Sequence, residues 1–511
     1  NICGLLLLLV VACQPASDNH PPARPNIVLI LADDMGYGDI QHYSPESKIP
    51  TPHLNRLCEQ GVVFTDAHSP SSVCTPTRYG LMTGRYAWRG RLKSGVLSGY
   101  SPTLIEANRQ TLAHLLAQAG YETGVVGKWH LGLGWPWVAD TLPHEVDKLL
   151  YVPPAGAIDY ARPLISGARE LGFGHSFLVP GSLDMGPYVY VENNRVLAPP
   201  LADSLFPGMP FPAYIRKGEV APEFAFDRVL QRLGDEATAF IAEKAQSDKP
   251  FFLYMPLTGP HKPALSHPDF VGKSGLGPYA DLVMEVDHTV GRIVAALEQA
   301  GVTENTLVLY TSDNGSYMYR LNADQPDHVR DSTVQGYAPV NHRANADWRG
   351  TKADIWEAGH RVPFIVRYPG QVKAGARIDQ AICLTDVLAT LCEWTGQPFD
   401  AAQAEDSYSF LPLLQGKTTE RPPVVHHSVA GMFSLRMGDF KLVFGNGSGG
   451  REQPAGENFG KPYQLFNLKD DPQESRDLGQ DPAYATQVET LTAAFREILM
   501  QREGHGVNPI P

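Results

Sequence analysis

Short, unbroken apolar runs separated by longer amphipathic stretches set the pattern of this chain. Asn26-Ile-Val-Leu-Ile-Leu-Ala32 has almost no polar position, as expected of a strand buried on both faces. Thr51-Pro52 predicts a helix start, with Thr51 at the N-cap and Pro52 at the first helical position, and Gly61 ends it. Further apolar runs cover Thr123–Val126, Phe251–Met255, Thr306–Thr311 and Pro363–Arg367. Between them, residues 111–119, 224–246 and 279–300 read as amphipathic helices. This alternation predicts an α/β fold with a largely parallel sheet sandwiched by helices.

The pattern changes near residue 415. Phe433–Met437 and Phe440–Phe444 flank Gly438-Asp439 and predict an antiparallel hairpin. Tyr463–Asn467 reads as a further strand and 482–502 as a last helix. The expected organisation is a leader and linker over 1–23, a main domain over 24–415 and a small α+β subdomain over 416–511. Gly445-Asn-Gly447-Ser-Gly-Gly450 matches Gly-x-Gly-x-x-Gly, but no helix opens after it. It is read as a flexible loop, and a dinucleotide site is rejected.

Composition narrows the class. At 511 residues, 43% hydrophobic and 19% charged, the chain is globular and large enough for more than one core. A net charge of −13 argues against nucleic-acid binding, so an anionic substrate would need a local cluster of positive charge. Residues 2–12 are apolar but too short to span a bilayer, and resemble the core of an export signal. Val10-Val11-Ala12-Cys13 resembles a bacterial lipobox, which implies a lipid anchor at Cys13 and a periplasmic or cell-surface location; a cleaved, unlipidated signal is the alternative. Of six cysteines, Cys3 and Cys13 fall in this leader, and Cys58 reads as a buried apolar residue. Cys383 and Cys392, if both on one helix, would be about 13 Å apart, too far for a disulfide.

Asp33-Asp34 directly follow the first strand, and Ser312-Asp313-Asn314-Gly315 follow another in the same way. Ligand sites in open parallel sheets form beyond the carboxyl ends of strands. Three carboxylates and an amide oxygen make a hard set, suited to Ca²⁺ or Mg²⁺. Lys128 and His130, two apart in an extended segment, point to the same wall.

These residues surround Cys74-Thr75-Pro76-Thr77-Arg78, which resembles the Cys-x-Pro-x-Arg signature of type I sulfatases in the alkaline phosphatase superfamily. Gly120-Tyr-Glu-Thr-Gly-Val-Val-Gly-Lys-Trp-His-Leu-Gly132 matches a second signature of that family over thirteen residues. His261 in Gly259-Pro-His-Lys-Pro263 and Lys352 in Gly350-Thr-Lys352 follow in the family order, as does Leu465–Glu474 near the end. One departure is Glu357-Ala358-Gly359 where the family has Glu-Gly-Gly.

The resemblance implies an alkaline-phosphatase-like fold and sulfate-ester hydrolysis. It implies that Cys74 is oxidised to formylglycine by a formylglycine-generating enzyme. The aldehyde hydrate then offers one hydroxyl to attack sulfur and another to expel sulfate. The implied metal ligands are Asp33, Asp34, Asp313, Asn314 and the modified Cys74, with Ca²⁺ preferred to Mg²⁺. The implied catalytic set is Cys74, Arg78, Lys128, His130, His261 and Lys352, with His261 as acid, His130 as base, Asp313 assisting deprotonation of the attacking hydroxyl, and the lysines neutralising sulfuryl oxygens. An exported enzyme of this kind suggests a sulfated glycan as substrate.

Two peripheral segments divide between functional and plain readings. Trp88–Lys93 is a polyanion subsite or a solvated basic loop, and His360 is a second specificity candidate. His426-His427 reads as structural. The competing functions are a phosphonate or phosphate ester hydrolase of the same superfamily, and a glycan-binding lipoprotein with a dead site. The last predicts a missing key residue, yet none of the ten positions is lost.

Overall fold

The run beginning at Asn26 becomes the middle of the molecule. In this computed structural model, which describes residues 24–139, 146–148, 151–201, 205–211 and 213–500, it forms β1 (Asn26–Asp33), with Ile27–Leu31 fully buried. Each such side chain contributes about 1.5–3 kcal/mol on burial, so one strand alone is a substantial part of the core. The apolar leader, Cys3 and Cys13 lie outside the described residues.

β1 is hydrogen-bonded on one side to β6 (Thr306–Ser312) and on the other to β5 (Phe251–Pro260), both parallel. β5 continues in parallel to β3 (Glu122–Lys128), and β3 to β4 (His175–Val179). Beyond β6, β7 (Arg361–Arg367) runs antiparallel, and β2 (Val62–His68) is antiparallel to β7. Short edge pieces complete an eleven-stranded sheet among the described residues. The expectation of a mostly parallel sheet therefore holds, with β7 reversed. Five adjacent parallel strands, β6-β1-β5-β3-β4, present their carboxyl ends along one edge.

Helices cover the faces. α1 (Pro52–Gln60) begins after Thr51, as predicted, but Thr51 makes no side-chain cap. Asp287 of α5 (Pro278–Gln299) instead accepts from the backbone N–H groups of His53 and Leu54 at 3.2 and 2.8 Å. The orphan donors of one helix are thus satisfied by its neighbour. α3 (Leu112–Gln118) and α4 (Val229–Lys244) fall within their predicted ranges. α2 (Cys74–Thr83) is wholly buried and ends at Gly84, which adopts φ 65°. Cys383 lies in a short strand (Ile382–Cys383), not on α6 (Asp386–Thr395), which carries Cys392; both are free and buried, as are Cys58 and Cys74.

The C-terminal hairpin is present as β9 (Phe433–Met437) and β10 (Phe440–Val443), flanked by β8 (Val424–His427) and β11 (Gln464–Asn467) in a four-stranded antiparallel sheet. α7 (Ala485–Met500) lays Leu491 and Phe495 on its apolar side, with Tyr86 and Trp88 from the main body in the same cluster. A separate small cluster joins Ile355 and Trp356 to Met432, Val443 and Phe466. It ties the segment carrying Lys352 to this sheet. Among the described residues no helix is long and apolar enough to cross a membrane.

Candidate active site

Every predicted site residue lies at the carboxyl edge of the sheet or on a segment folded over it. Asp33 ends β1 and Asp34 follows it; Lys128 ends β3, with His130 two residues on. His261 follows β5, and Asp313 and Asn314 follow β6. β2 runs toward the same edge and delivers Cys74 to the first turn of α2, where the helix dipole favours negative charge. Close backbone approach fixes two glycines here. A Cβ on Gly127 would sit 1.8 Å from the Pro256 carbonyl oxygen, and one on Gly315 would sit 1.7 Å from that of Ala358.

The side chains converge in pairs. Lys128 Nζ donates to both oxygens of Asp33, at 2.8 and 2.7 Å. Arg78 donates through Nε and Nη2 to Asp313 Oδ2, at 3.1 and 2.8 Å, and through Nη1 to the Lys128 carbonyl. Lys352 Nζ donates to Asp34 Oδ2 at 2.8 Å, and Asn314 Nδ2 to Asp34 Oδ1 at 2.7 Å. His261 Nε2 lies 3.6 Å from Asp34 Oδ2. Asp34 and His130 hold φ angles of 66° and 53°, a strained region for non-glycine residues, as surrounding contacts over-determine them.

Burial dominates the protonation of this cluster. It pushes Asp33 up to about 8 despite Lys128. Burial also opposes ionisation of Asp313, but Arg78 and Lys128 outweigh it and hold that carboxyl below its usual value. Burial raises the Cys74 thiol against the pull of Lys128 and Lys352, so the encoded cysteine is a protonated thiol and a weak nucleophile. Desolvation, aided by Lys128, lowers His130 well below the usual imidazole range. His130 Nε2 faces the Leu97 carbonyl oxygen at 2.9 Å, which leaves its buried Nδ1 without a partner and able to accept a proton. His261 Nδ1 faces the Lys262 carbonyl oxygen, and burial with Lys352 lowers this ring too.

The donor set fits a hard divalent cation. Ligand atoms of Asp33, Cys74 and Asp313 lie within 4.8 Å of one another, as do those of Asp33, Asp34 and His261. Asn314 Oδ1 is buried without a hydrogen-bond partner, an acceptor available to a cation. Charge points the same way: three carboxylates, Asp33, Asp34 and Asp313, are offset by Arg78, Lys128 and Lys352. A divalent ion would make the site positive, as an anionic substrate requires.

A pocket of 170 Å³ opens above Cys74 and is shared by His261 and Lys352. Its wall includes residues that the sequence reading did not single out: Ser182, Asp184, Arg216, Lys262 and Arg451. Apart from Lys262, which sits in the His261 segment, they come from loops without periodic patterning, so nothing local marks them. The Ser182 hydroxyl, just beyond β4, is buried and unpartnered.

Several expectations are corrected. His360 does not reach this pocket; it is buried against His426, ring centroids 3.8 Å apart, with Lys441 Nζ at 3.0 Å. Its closeness to Lys352 in sequence is not closeness in space. Trp88–Lys93 does not line this pocket, and only its Arg91 and Lys93 are exposed as the solvated-loop reading has it. Trp88 is core, Arg89 pairs with Asp406 at 2.8 Å and Arg91 with Asp147 at 2.6 Å. The glycine-rich 445–450 segment is anchored, not free: Ile355 N–H donates to the Ser448 carbonyl at 2.7 Å, and a Cβ on Gly450 would meet the Ala353 carbonyl oxygen at 2.4 Å. His426 and His427 are buried, as a structural role requires. At the Glu357-Ala358-Gly359 departure, Ala358 has no positive φ, and the glycine is kept where a Cβ would lie 2.1 Å from the Asp354 carbonyl oxygen.

A doubly wound sheet edge carrying oxygen donors, buried cations and a cysteine at a helix start defines a hydrolase of the alkaline-phosphatase-like class. The chain belongs to the sulfatase family, whose model matches residues 25–153 and 160–397. It is 34% identical over 535 residues to an N-acetylgalactosamine-6-O-sulfatase of Bacteroides thetaiotaomicron, covering 96% of this chain and 97% of that one. It is 32% identical to human arylsulfatase A over 90% of this chain and 85% of that one. A solved structure from work on glycosaminoglycan metabolism by Bacteroides thetaiotaomicron superposes with a TM-score of 0.79 at 29% identity, covering 94% of this chain and all of that one. A phosphonate monoester hydrolase of Agrobacterium radiobacter shares the fold, with a TM-score of 0.60 at 19% identity over 96% of this chain and 100% of that one. As a sulfatase the chain is a sulfuric ester hydrolase, and the family implies a metal and a formylglycine.

Proposed function

We propose that this protein removes sulfate from a sulfated carbohydrate, using formylglycine made from Cys74. The observation that carries this reading is the convergence of nine side chains, from the carboxyl ends of four parallel strands, α2 and the Lys352 segment, on one buried thiol. The carbohydrate preference is supported by the printed substrate of the Bacteroides thetaiotaomicron relative. Asp33, Asp34, Asp313 and Asn314, with the modified Cys74, would hold the metal, Ca²⁺ in preference to Mg²⁺ because the set is all oxygen and rich in carboxylate. When present, the aldehyde hydrate supplies both a nucleophilic hydroxyl and a second hydroxyl for releasing sulfate, while the ion supplies positive charge.

The chain's own groups do the rest. Arg78, fixed by Asp313 and the Lys128 carbonyl, orients the group at position 74. Lys128 and Lys352 offset charge on the sulfuryl oxygens as it redistributes. Asp313, kept ionised, takes the proton of the attacking hydroxyl. His130 serves as base in sulfate release through its free Nδ1; His261, whose Nδ1 proton is held by the Lys262 carbonyl, takes up a proton at Nε2 beside Asp34 when the anionic substrate is bound and passes it to the departing sugar oxygen. The export pattern of residues 2–13 supports a periplasmic or surface location, with a lipid anchor at Cys13. Maturation would need a formylglycine-generating enzyme. The four-stranded antiparallel sheet, distinct from the main sheet, supports a division into a catalytic part (24–415) and an appended subdomain (416–511).

The test uses protein co-expressed with a formylglycine-generating enzyme. Mass spectrometry of the peptide containing Cys74 is expected to show the aldehyde, and matched aryl sulfates and phosphates are then compared. Sulfate release should dominate. Phosphate release from the aryl phosphate, with the sulfate untouched, would replace this reading with the ester-hydrolase alternative.

A further inference from the structure

The pocket above Cys74 has a positively charged wall that sulfate cleavage does not use. Lys262 is only 8% exposed, yet among the described residues its ammonium donates to no acid; it lies 3.7 Å from the centre of the Tyr214 ring. Arg451, carried into the pocket by the anchored glycine-rich segment, makes no side-chain ion pair among the described residues, and its Nη1 is buried without a partner. Arg216 is held by Asp184 and still leaves its buried Nε unpartnered. Asp184 is the single acid on this wall, and one of its oxygens, Oδ1, is unpartnered as well.

Three cations therefore face one carboxylate in a shared, partly desolvated pocket. Buried donors left without acceptors are costly, so such a wall is suited to a ligand that completes it. Burial, with the nearby Arg451 adding to it and Asp184 opposing it, pulls the Lys262 ammonium down to about 7. A neutral sugar hydroxyl would satisfy single hydrogen bonds but not the excess charge. The free Asp184 oxygen, an acceptor, suits a hydroxyl of the same sugar.

We propose that Lys262 and Arg451 form a second anion subsite, which selects saccharides carrying another negative group, a sulfate or a carboxylate, beside the sulfate ester being cleaved. This rests on the sulfatase reading above. Arg216 and Asp184 act as the frame of the subsite, with Asp184 positioning the guanidinium and receiving a sugar hydroxyl.

The experiment uses formylglycine-loaded full-length enzyme and four substrates: nitrophenyl sulfate, a monosulfated hexosamine, its disulfated counterpart, and the monosulfated hexosamine joined to a uronate. Wild type is expected to prefer one of the two doubly anionic substrates over the monosulfated hexosamine by about tenfold or more in kcat/KM. Which one is preferred tells sulfate from carboxylate. Lys262→Gln and the more exposed Arg451→Gln should each shrink that preference about tenfold, through KM, with a much smaller loss on nitrophenyl sulfate. No preference in wild type, or equal losses on all four substrates, overturns the subsite while leaving the sulfatase reading intact. Failure of wild type to release sulfate from any of them overturns the sulfatase reading itself, and the subsite with it.

Discussion

At the scale of single residues, the site works by denying water to groups that would otherwise be commonplace. Cys74 is a buried thiol with a raised pKa, a weak nucleophile as encoded, which is why the proposed function rests on its conversion to formylglycine. His261 shows how a role can be tested against its surroundings. Its Nδ1 is engaged with the Lys262 carbonyl, and Nε2 is the ring nitrogen near Asp34. If Nε2 delivers the proton to the departing oxygen, the need for it scales with the basicity of that oxygen. His261→Ala should therefore lose about 10²–10⁴-fold with a sugar or alkyl leaving group and far less with nitrophenolate, which departs without a proton. Equal losses on both, measured as kcat, would make His261 a binding residue instead.

At the scale of elements, the segment that carries Lys352 is held from behind by the C-terminal sheet. Lys441 of β10 is fully buried and reaches Glu357 at 3.1 Å and Glu474 at 2.8 Å. Glu474 in turn accepts from the Glu357 backbone N–H at 2.7 Å, and its carbonyl accepts from Arg349 at 2.7 Å. Burial opposes both acids, but Lys441 and its neighbours keep Glu357 ionised, while Glu474 is pushed up to about 6. Removing one partner of a buried charge pair costs about 3–5 kcal/mol. Lys441→Met is thus expected to lower Tm by several degrees and to raise KM for sulfate esters through displacement of Lys352; Glu474→Gln added to it should recover part of both, since two acids no longer face each other. An unchanged KM would confine the network to stability. Elements of this sort also mark what sequence can reveal. The Leu465–Glu474 segment was legible as a motif, and β1 and β6 as apolar runs ending in oxygen donors. β2 and β4 were not legible, because Thr65 and Asp66 interrupt one and the other is only five residues long. Arg451 was hidden for a different reason: glycines at 445–450 look like flexibility, whereas Gly450 is there so that the backbone can press against Ala353.

At the scale of the whole molecule, a chain of net charge −13 must still attract an anion, and the resolution is local. The carboxyl groups of Asp33, Asp34 and Asp313 are already paired with Lys128, Lys352 and Arg78, so the metal-free protein keeps a folded site in which each of them has a cation beside it. A divalent cation then adds net positive charge where the substrate's sulfate must lie. Two consequences can be separated by experiment. Chelation should abolish sulfate release, yet leave a cooperative unfolding transition, because the lysines remain to neutralise the carboxylates. Adding back the ion should raise Tm in proportion to the logarithm of its concentration, about 2.7 kcal/mol of stabilisation at a hundredfold excess over Kd. Ca²⁺ is expected to act at lower concentration than Mg²⁺, since a carboxylate-rich set of flexible coordination suits the larger ion. Thermal melts and sulfate release titrated in parallel measure both effects. A Tm that ignores both ions, with activity surviving the chelator, would remove the metal from the mechanism and leave the three cations alone to bind the sulfate.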